Sequence, residues 1–250
     1  FHHLPRGSEQ FPLVRLWGTI GWIIAGYTLT FLFVSGDLKG EMREAQFWLG
    51  AIASLALGVY CFTLPRTPAP KRGQPVNVRD MLFMDAWKQM AKPSFAVFII
   101  GSFLVCIPLA AYYASLQQQM EAMDMSYIAF WKNTGTWIEA ALMFARPLFF
   151  RKLGIRKMIL IGIAAWIARY ALFALGATPT TGGVILVIAG IALHGICYDF
   201  FFVTGQVYVD RSTPSDIRGQ AQGMNIFFTQ GLGLFFGAIA AGKLLSLIHI

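Results

Sequence analysis

The chain has 250 residues, 56% of them hydrophobic and 13% charged, with 22 Phe and a formal net charge of +8. Soluble domains carry about a quarter charged residues, so the composition excludes an ordinary water-soluble globule and implies a polytopic membrane protein. Its three cysteines (Cys61, Cys106, Cys197) stand singly in apolar segments, which excludes a disulfide framework or a thiolate metal site.

Both ends read as those of a fragment: residue 1 is not Met, and 245–250 resembles a non-native tail. His2 and His3 are adjacent, a poor geometry for a helical metal site, and read as interfacial polar residues. Residues 5–14 read as a polar loop holding Pro5 and Pro12. The first span is expected over 15–35, where Gly18, Gly21 and Gly26 permit close helix contact and Arg15 and Thr19 share a face. A loop of mixed charge leads to a second span, 47–64, stopped by Pro65. Residues 65–93 form the longest polar segment, Pro-rich and then amphipathic. Its Met81, Leu82, Met84, Ala86 and Trp87 suggest a linker helix lying at the membrane surface.

The third span, 94–116, contains Pro108, which frees a carbonyl and bends a helix. The fourth, 127–150, differs from the rest: Lys132, Glu139 and Arg146 recur every seven residues, along one helical stripe at steps of about 10.5 Å. With Asn133, Thr134 and Thr136 beside it, that stripe is too polar to face lipid and should line a wet cavity. A basic turn, RKLGIRK, precedes a fifth span, 158–176, carrying Arg169. The sixth, 183–207, carries His194 and an acid, Asp199. A carboxylate in an apolar span costs several kcal/mol unless a cavity, a partner or a proton relieves it. Thr213, Pro214 and Asp216 read as the N-cap, first position and capping-box acid of the seventh span, 217–244, with the first helix ending near Tyr208. Gly233 and Gly237 there have GxxxG spacing.

Fourteen of the 20 basic residues fall on the linker side, three on the opposite side and three inside spans. The linker side is therefore cytoplasmic. Topology explains the positive charge, so no nucleic-acid partner is expected. The fold class is all-α: an end of one bundle (1–64), a linker (65–93) and a second bundle (94–244). A solute pathway between two bundles is the arrangement expected of a transporter.

Four stretches carry a resemblance: FPLVRLWGTIGW (11–22), PLFFRKLGIRKMILIGIAAWIARYALFALG (147–176), HGICYDFFFVTGQVYVD (194–210) and IRGQAQGM (217–224). In order and spacing the chain resembles the nucleoside–proton symporter family of the major facilitator superfamily. The resemblance implies a partial major facilitator fold, helices five to eleven of twelve, in a protein that is monomeric when full length. It implies a nucleoside and a proton as transported species, the bacterial inner membrane as location, and no enzyme activity or cofactor.

By the same resemblance, Arg15, Thr19 and Trp22 face the nucleoside from the first bundle, and Tyr198 is an aromatic neighbour of it. Glu139 matches an acid tied to the ribose hydroxyls or the proton, and Asp199 matches the acid of helix ten. The family's Gln and Asn of helix seven fall on Ala110 and Tyr113, a Gln of helix eight on Thr136, and a Tyr of helix ten on His194. Those departures bear on which base is read. A carboxylate in a dehydrating cavity can load and release a proton near neutral pH, which points to Glu139 and Asp199 as coupling acids. Arg146 and Arg169 are candidate counter-ions, and Lys132 is expected to snorkel. Two alternatives stand beside symport: a carrier for another small polar solute such as a sugar, and a membrane-embedded enzyme using His194 with Asp199. Against the second, those two lie about 140° apart on a helix, with no nucleophile or metal-ligand set beside them.

Overall fold

The computed structural model describes residues 7–33, 45–66 and 78–248, which leaves His2, His3 and the Pro-rich part of the linker outside the described chain. The described residues are helical, without strands. In chain order they form α1 (Gly7–Phe33), α2 (Ala45–Cys61), the short α3 (Val78–Met81) and α4 (Met84–Trp87), and a 3-10 turn, Lys88–Ala91. After these come α5 (Pro93–Ala122), α6 (Ile128–Leu175), α7 (Thr181–Ala192), α8 (His194–Cys197), α9 (Thr204–Ser212), α10 (Arg218–Ile226) and α11 (Leu234–Ile248). Two π-helical segments, Tyr198–Val203 and Phe227–Gly233, join α8 to α9 and α10 to α11.

Four stretches are long and apolar enough to cross a bilayer: Pro93–Ala122, Leu148–Leu175, Thr181–Ser212 and Arg218–Leu244. The other three expected spans correspond to α1, to the 17-residue α2 and to the first part of α6, which carries the polar stripe. Pro93 starts α5 at its first position, where a missing N–H costs nothing. Thr180 caps α7, its hydroxyl accepting from the Gly183 N–H at 3.1 Å. The expected RKLGIRK turn is a break inside α6 at Gly154, whose φ of 71° suits glycine.

Three boundary expectations are corrected. Helix α1 begins at Gly7 and takes in most of the expected 5–14 loop, since Glu and Gln are good helix formers. Helix α9 runs on to Ser212, not Tyr208, because Ser212 and Thr213 turn their hydroxyls back to the carbonyls of Tyr208 and Val209. Thr213 therefore closes α9 rather than capping the next helix, and α10 starts at Arg218 after a turn holding Pro214 and Asp216.

The linker helix is also different from its expected form. Phe83 has a left-handed φ of 54°, which splits the amphipathic run into α3 and α4. Ala86 is fully buried and, with Phe83 and Met90, packs among Phe95, Ile99, Val209, Ala221 and Met224. The Asp85 N–H donates to Gln220 Oε1 at 3.3 Å. The segment thus docks on the ends of α9 and α10, while Leu82, Met84 and Trp87 stay exposed.

Small residues set the closest helix contacts. A Cβ at Gly233 or Gly237 would meet Cys106 Cβ or the Ile107 carbonyl at 2.6 Å, so the GxxxG pair seats α11 on α5. Among Gly18, Gly21 and Gly26 of α1, Gly26 alone meets a neighbour, Asn133 of α6, while Gly18 and Gly21 face open space. The main core joins α5, α6, α7 and α8 around Leu109, Tyr112, Leu116, Trp166, Phe173 and Ile191. Nearly every described side chain of α2 is exposed.

Candidate functional site

Helix α1 lies antiparallel along the first part of α6. Leu16 packs with Ala140 and Met143, Thr19 meets Glu139, Asn133 Nδ2 donates to the Ile23 carbonyl at 3.4 Å, and Trp137 Nε1 donates to the Tyr27 hydroxyl at 2.8 Å. From Leu16 through Thr19 and Ile23 to Tyr27 along α1, the partners on α6 run backwards from Met143 towards Phe130. This seam brings Glu139 and Asn133 of α6 against α1.

On the other flank of Glu139, α8 approaches α6 backbone to backbone. A Cβ at Gly195 would lie 2.5 Å from the Glu139 nitrogen and 2.7 Å from the Ile138 carbonyl carbon. One turn away, a Cβ at Gly135 would lie 2.6 Å from the Ile191 carbonyl oxygen and 2.8 Å from His194 Cβ. Neither contact leaves room for a side chain. The two glycines therefore fix the depth at which His194 meets Glu139.

Glu139 is 6% exposed and sits between these neighbours. Thr19 Oγ1 donates to Glu139 Oε1 at 3.3 Å, and His194 Nε2 lies 3.7 Å from Oε2. The other ring nitrogen of His194, Nδ1, is 3.0 Å from Arg169 Nη1. A guanidinium can donate but not accept, so Nδ1 accepts and the ring hydrogen resides on Nε2, aimed at the carboxylate.

Arg169 is completely buried. Its guanidinium carbon lies 3.8 Å from the centre of the Tyr112 ring, 5.2 Å from that of Trp166 and 5.4 Å from that of Phe173. Such contacts contribute about 2 kcal/mol each when desolvated. This aromatic box houses the cation whose hydrogen bond orients His194. The sequence reading assigned Arg169 to an acid; the structure brings it to Glu139 by way of His194.

The remaining candidates divide clearly. Asp199 is 1% exposed and opens the π segment, where its backbone carbonyl accepts from Thr204 Oγ1 at 2.9 Å. Tyr198 is half-buried, its ring 5.7 Å from that of His194. Thr136 is buried one turn before Glu139. Tyr113 is exposed beside Tyr112, with ring centres 5.4 Å apart, and Ala110 is buried against Gly237. Trp22 is 70% exposed and joins neither the Glu139 nor the Arg169 group. Lys132 Nζ donates to Gln117 Oε1 of α5 at 3.4 Å, a tether between helices where snorkelling was expected. The side chains of Arg15 and Arg146 lie outside the described residues.

An apolar cavity of about 220 Å³ opens beside Pro108, lined by Leu104, Val105, Ile163, Trp166, Ile167 and Tyr170. Glu139 and His194 are not among its walls, so it is separate from the polar group. Sequence reasoning missed the box around Arg169 and the π segment at Asp199. An arginine in mid-span was the one signal available for the first.

Comparison with known proteins gives a consistent answer. Residues 1–249 match the family described as Nucleoside H+ symporter. YegT of Escherichia coli (strain K12) is 34% identical over 247 residues, which cover 98% of this chain and 58% of that protein. The nucleoside permease NupG of the same organism is 30% identical over 257 residues, with 95% and 58% covered. A crystal structure of the nucleoside transporter NupG carrying an aspartate-to-alanine mutation superposes with a TM-score of 0.76 at 28% identity, covering 95% of this chain and 60% of that one. The chain thus spans about 58% of the length of the curated relatives it matches.

Proposed function

From the premise that this chain belongs to the Nucleoside H+ symporter family, we infer that it supplies the coupling centre of an inner-membrane carrier that takes up a nucleoside with a proton. One observation carries the reading: a buried carboxylate, Glu139, lies between α1 and α8, accepting from Thr19 Oγ1 at 3.3 Å on one flank and facing His194 Nε2 at 3.7 Å on the other. A carboxylate at such a seam is accessible to a solute only when the bundles part, which is what alternating access requires.

In this reading Glu139 accepts ribose hydroxyls when ionised and carries the proton when neutral. Thr19 and His194 are the donors that a solute's hydroxyls would replace or join. Thr136, Tyr113 and Tyr198 border the same region, and aromatic stacking on a nucleobase contributes about 1–3 kcal/mol. Arg15 and Trp22 are assigned to the solute side of α1, with Asp199 as a second acid and Arg146 as its candidate counter-ion. The carrier is a monomer in the lipid bilayer.

The test is uptake of labelled uridine by cells expressing the complete carrier that contains this chain. Collapse of the proton gradient should abolish concentrative uptake. Glu139→Gln should lower it by about 10-fold or more, the equivalent of losing one charge-assisted hydrogen bond. Uptake unchanged by both treatments refutes the reading.

A further inference from the structure

We propose that Arg169 is a positioning residue for the coupling acid: it holds His194 as a fixed Nε2–H donor, so that His194 senses the charge on Glu139 without itself carrying the transported proton. The proposal rests on Glu139 being the coupling acid and adds a positioning role for Arg169 and a charge-sensing one for His194. At the His194 position the family resemblance implies a tyrosine, so the pairing of an imidazole with a buried guanidinium belongs to this chain.

The geometry decides between a sensor and a carrier. A second proton on His194 would have to go on Nδ1, which already accepts from Arg169 Nη1 at 3.0 Å. Protonation would set donor against donor and cation against cation at that distance. The opposing attraction, from Glu139 Oε2, acts on the other nitrogen at the longer 3.7 Å. Coulomb energy falls with distance, so the repulsion is the larger of the two, and a hydrogen bond is lost as well. The other groups facing the ring do not reverse this. Tyr112 of α5 stacks on it at 6.2 Å, and Tyr198 of the following π segment approaches at 5.7 Å, each through an uncharged ring. Arg169 has no room to step aside, being fully buried among Tyr112, Trp166 and Phe173.

Thr19 and His194 then respond differently to protonation of Glu139. The Thr19 hydroxyl can rotate and accept from a carboxylic acid. His194 cannot, because Arg169 holds Nδ1 and leaves Nε2 as an N–H. A proton arriving on Glu139 from the solute pathway removes the charge that attracts Nε2–H and weakens the α6–α8 contact, while the α1–α6 contact survives. The proton leaves by the same carboxyl oxygen, and His194 keeps its own hydrogen throughout.

Nitrogen-15 spectra of histidine-labelled, purified carrier test the claim directly, with His194→Gln for assignment. Across about pH 5 to 8, the range in which histidines ordinarily titrate, His194 should keep one hydrogen, on Nε2. In Arg169→Gln, with Nδ1 released, His194 should take up a second proton that the wild type does not. A wild-type His194 that becomes doubly protonated, or carries its hydrogen on Nδ1, overturns the proposal.

The pH profile of uptake is the second readout. His194→Gln keeps an amide donor for Glu139 and an acceptor for Arg169, and its profile should keep the wild-type shape. Arg169→Gln should add a titration step that the wild type lacks, and the double variant should lose that step. Loss of a step in His194→Gln alone overturns the proposal. Should Arg169→Gln fail to fold, the wild-type spectra and His194→Gln still decide. Absence of nucleoside uptake would sink the proposed function, whereas the spectra judge the positioning role independently.

Discussion

Substituting Gly195 by alanine tests whether the depth of the α6–α8 contact matters. The added Cβ would lie 2.5 Å from the Glu139 nitrogen and 2.7 Å from the Ile138 carbonyl carbon, where 3.4–4 Å is ordinary contact. Both obstacles are backbone, so no side chain can swing away and the helices must separate by roughly 1 Å. Overpacking of that kind costs about 1–3 kcal/mol. At about 2–4 °C per kcal/mol for a protein of this size, the purified carrier should melt several degrees lower. The same displacement lengthens the 3.7 Å approach of His194 to Glu139 and should depress uridine uptake along with it. Gly101→Ala on α5, where a Cβ meets nothing within 4 Å, is the control and should leave both unchanged. Wild-type melting and uptake in Gly195→Ala would refute the reasoning, because the glycine would then be serving no close approach.

Thr19→Val removes the hydroxyl donated to Glu139 Oε1 while keeping the shape, and should raise the KM for uridine about 10-fold or more, the size expected for a hydrogen bond to a charged group. Thr19→Ser should restore it, and a Val variant with wild-type KM would show that the Thr19 bond to Glu139 plays no part in binding. In the linker segment, Lys88 donates to Asp85 at 2.9 Å and holds its carboxyl below the usual carboxylate range, with Arg79 assisting. Because that shift is downward, its contribution to docking of the linker is full above the ordinary carboxylate value of about 4 and is lost as pH falls through the lower, folded one. Trp87 packs edge-on to Phe228 with ring centres 5.6 Å apart, so its fluorescence should stay flat from neutral pH to about 5 and change on further acidification. A transition centred near neutral pH would contradict the ion-pair account.

Composition and hydropathy were enough for the helical membrane class, because a chain with so little charge has few other ways to satisfy its backbone. The seven-residue recurrence of Lys132, Glu139 and Arg146 marked a helix face that lipid could not solvate, and the structure puts Glu139 of that face against α1. What period could not reveal is which partners arrive from elsewhere. Arg169 and His194 are 25 positions apart on different helices, and their hydrogen bond exists only because Gly135 and Gly195 let α8 sink against α6. The π segments were invisible for another reason. A widened turn changes the hydrogen-bond spacing, not the apolar composition, so Tyr198–Val203 and Phe227–Gly233 read as plain helix. The linker was misjudged because its amphipathic pattern is equally suited to a membrane surface and to the ends of neighbouring helices. Phe83, adopting a left-handed φ that propensity argues against, decides for the second.

The site is also where regular helix geometry is abandoned. The π segment begins immediately after the turn that bears His194, and Asp199 is its second residue. A π turn offsets everything after it from the helical register set by His194, so Asp199 and Glu139 are governed by different stretches of regular helix. Thr204 stabilises the offset by donating to the Asp199 carbonyl, five residues back, a bond that a straight α-helix does not offer. Asp199 is thereby tied to the backbone of α9, while His194 is tied to α6 through Arg169. On one uninterrupted α-helix, His194 and Asp199 would keep a fixed offset. With the π segment starting at Tyr198, the helical turn that bears His194 and meets Glu139 is set off from α9 beyond it. That division is what a carrier needs if a proton gained at one acid is to alter one contact and leave the rest of the bundle packed.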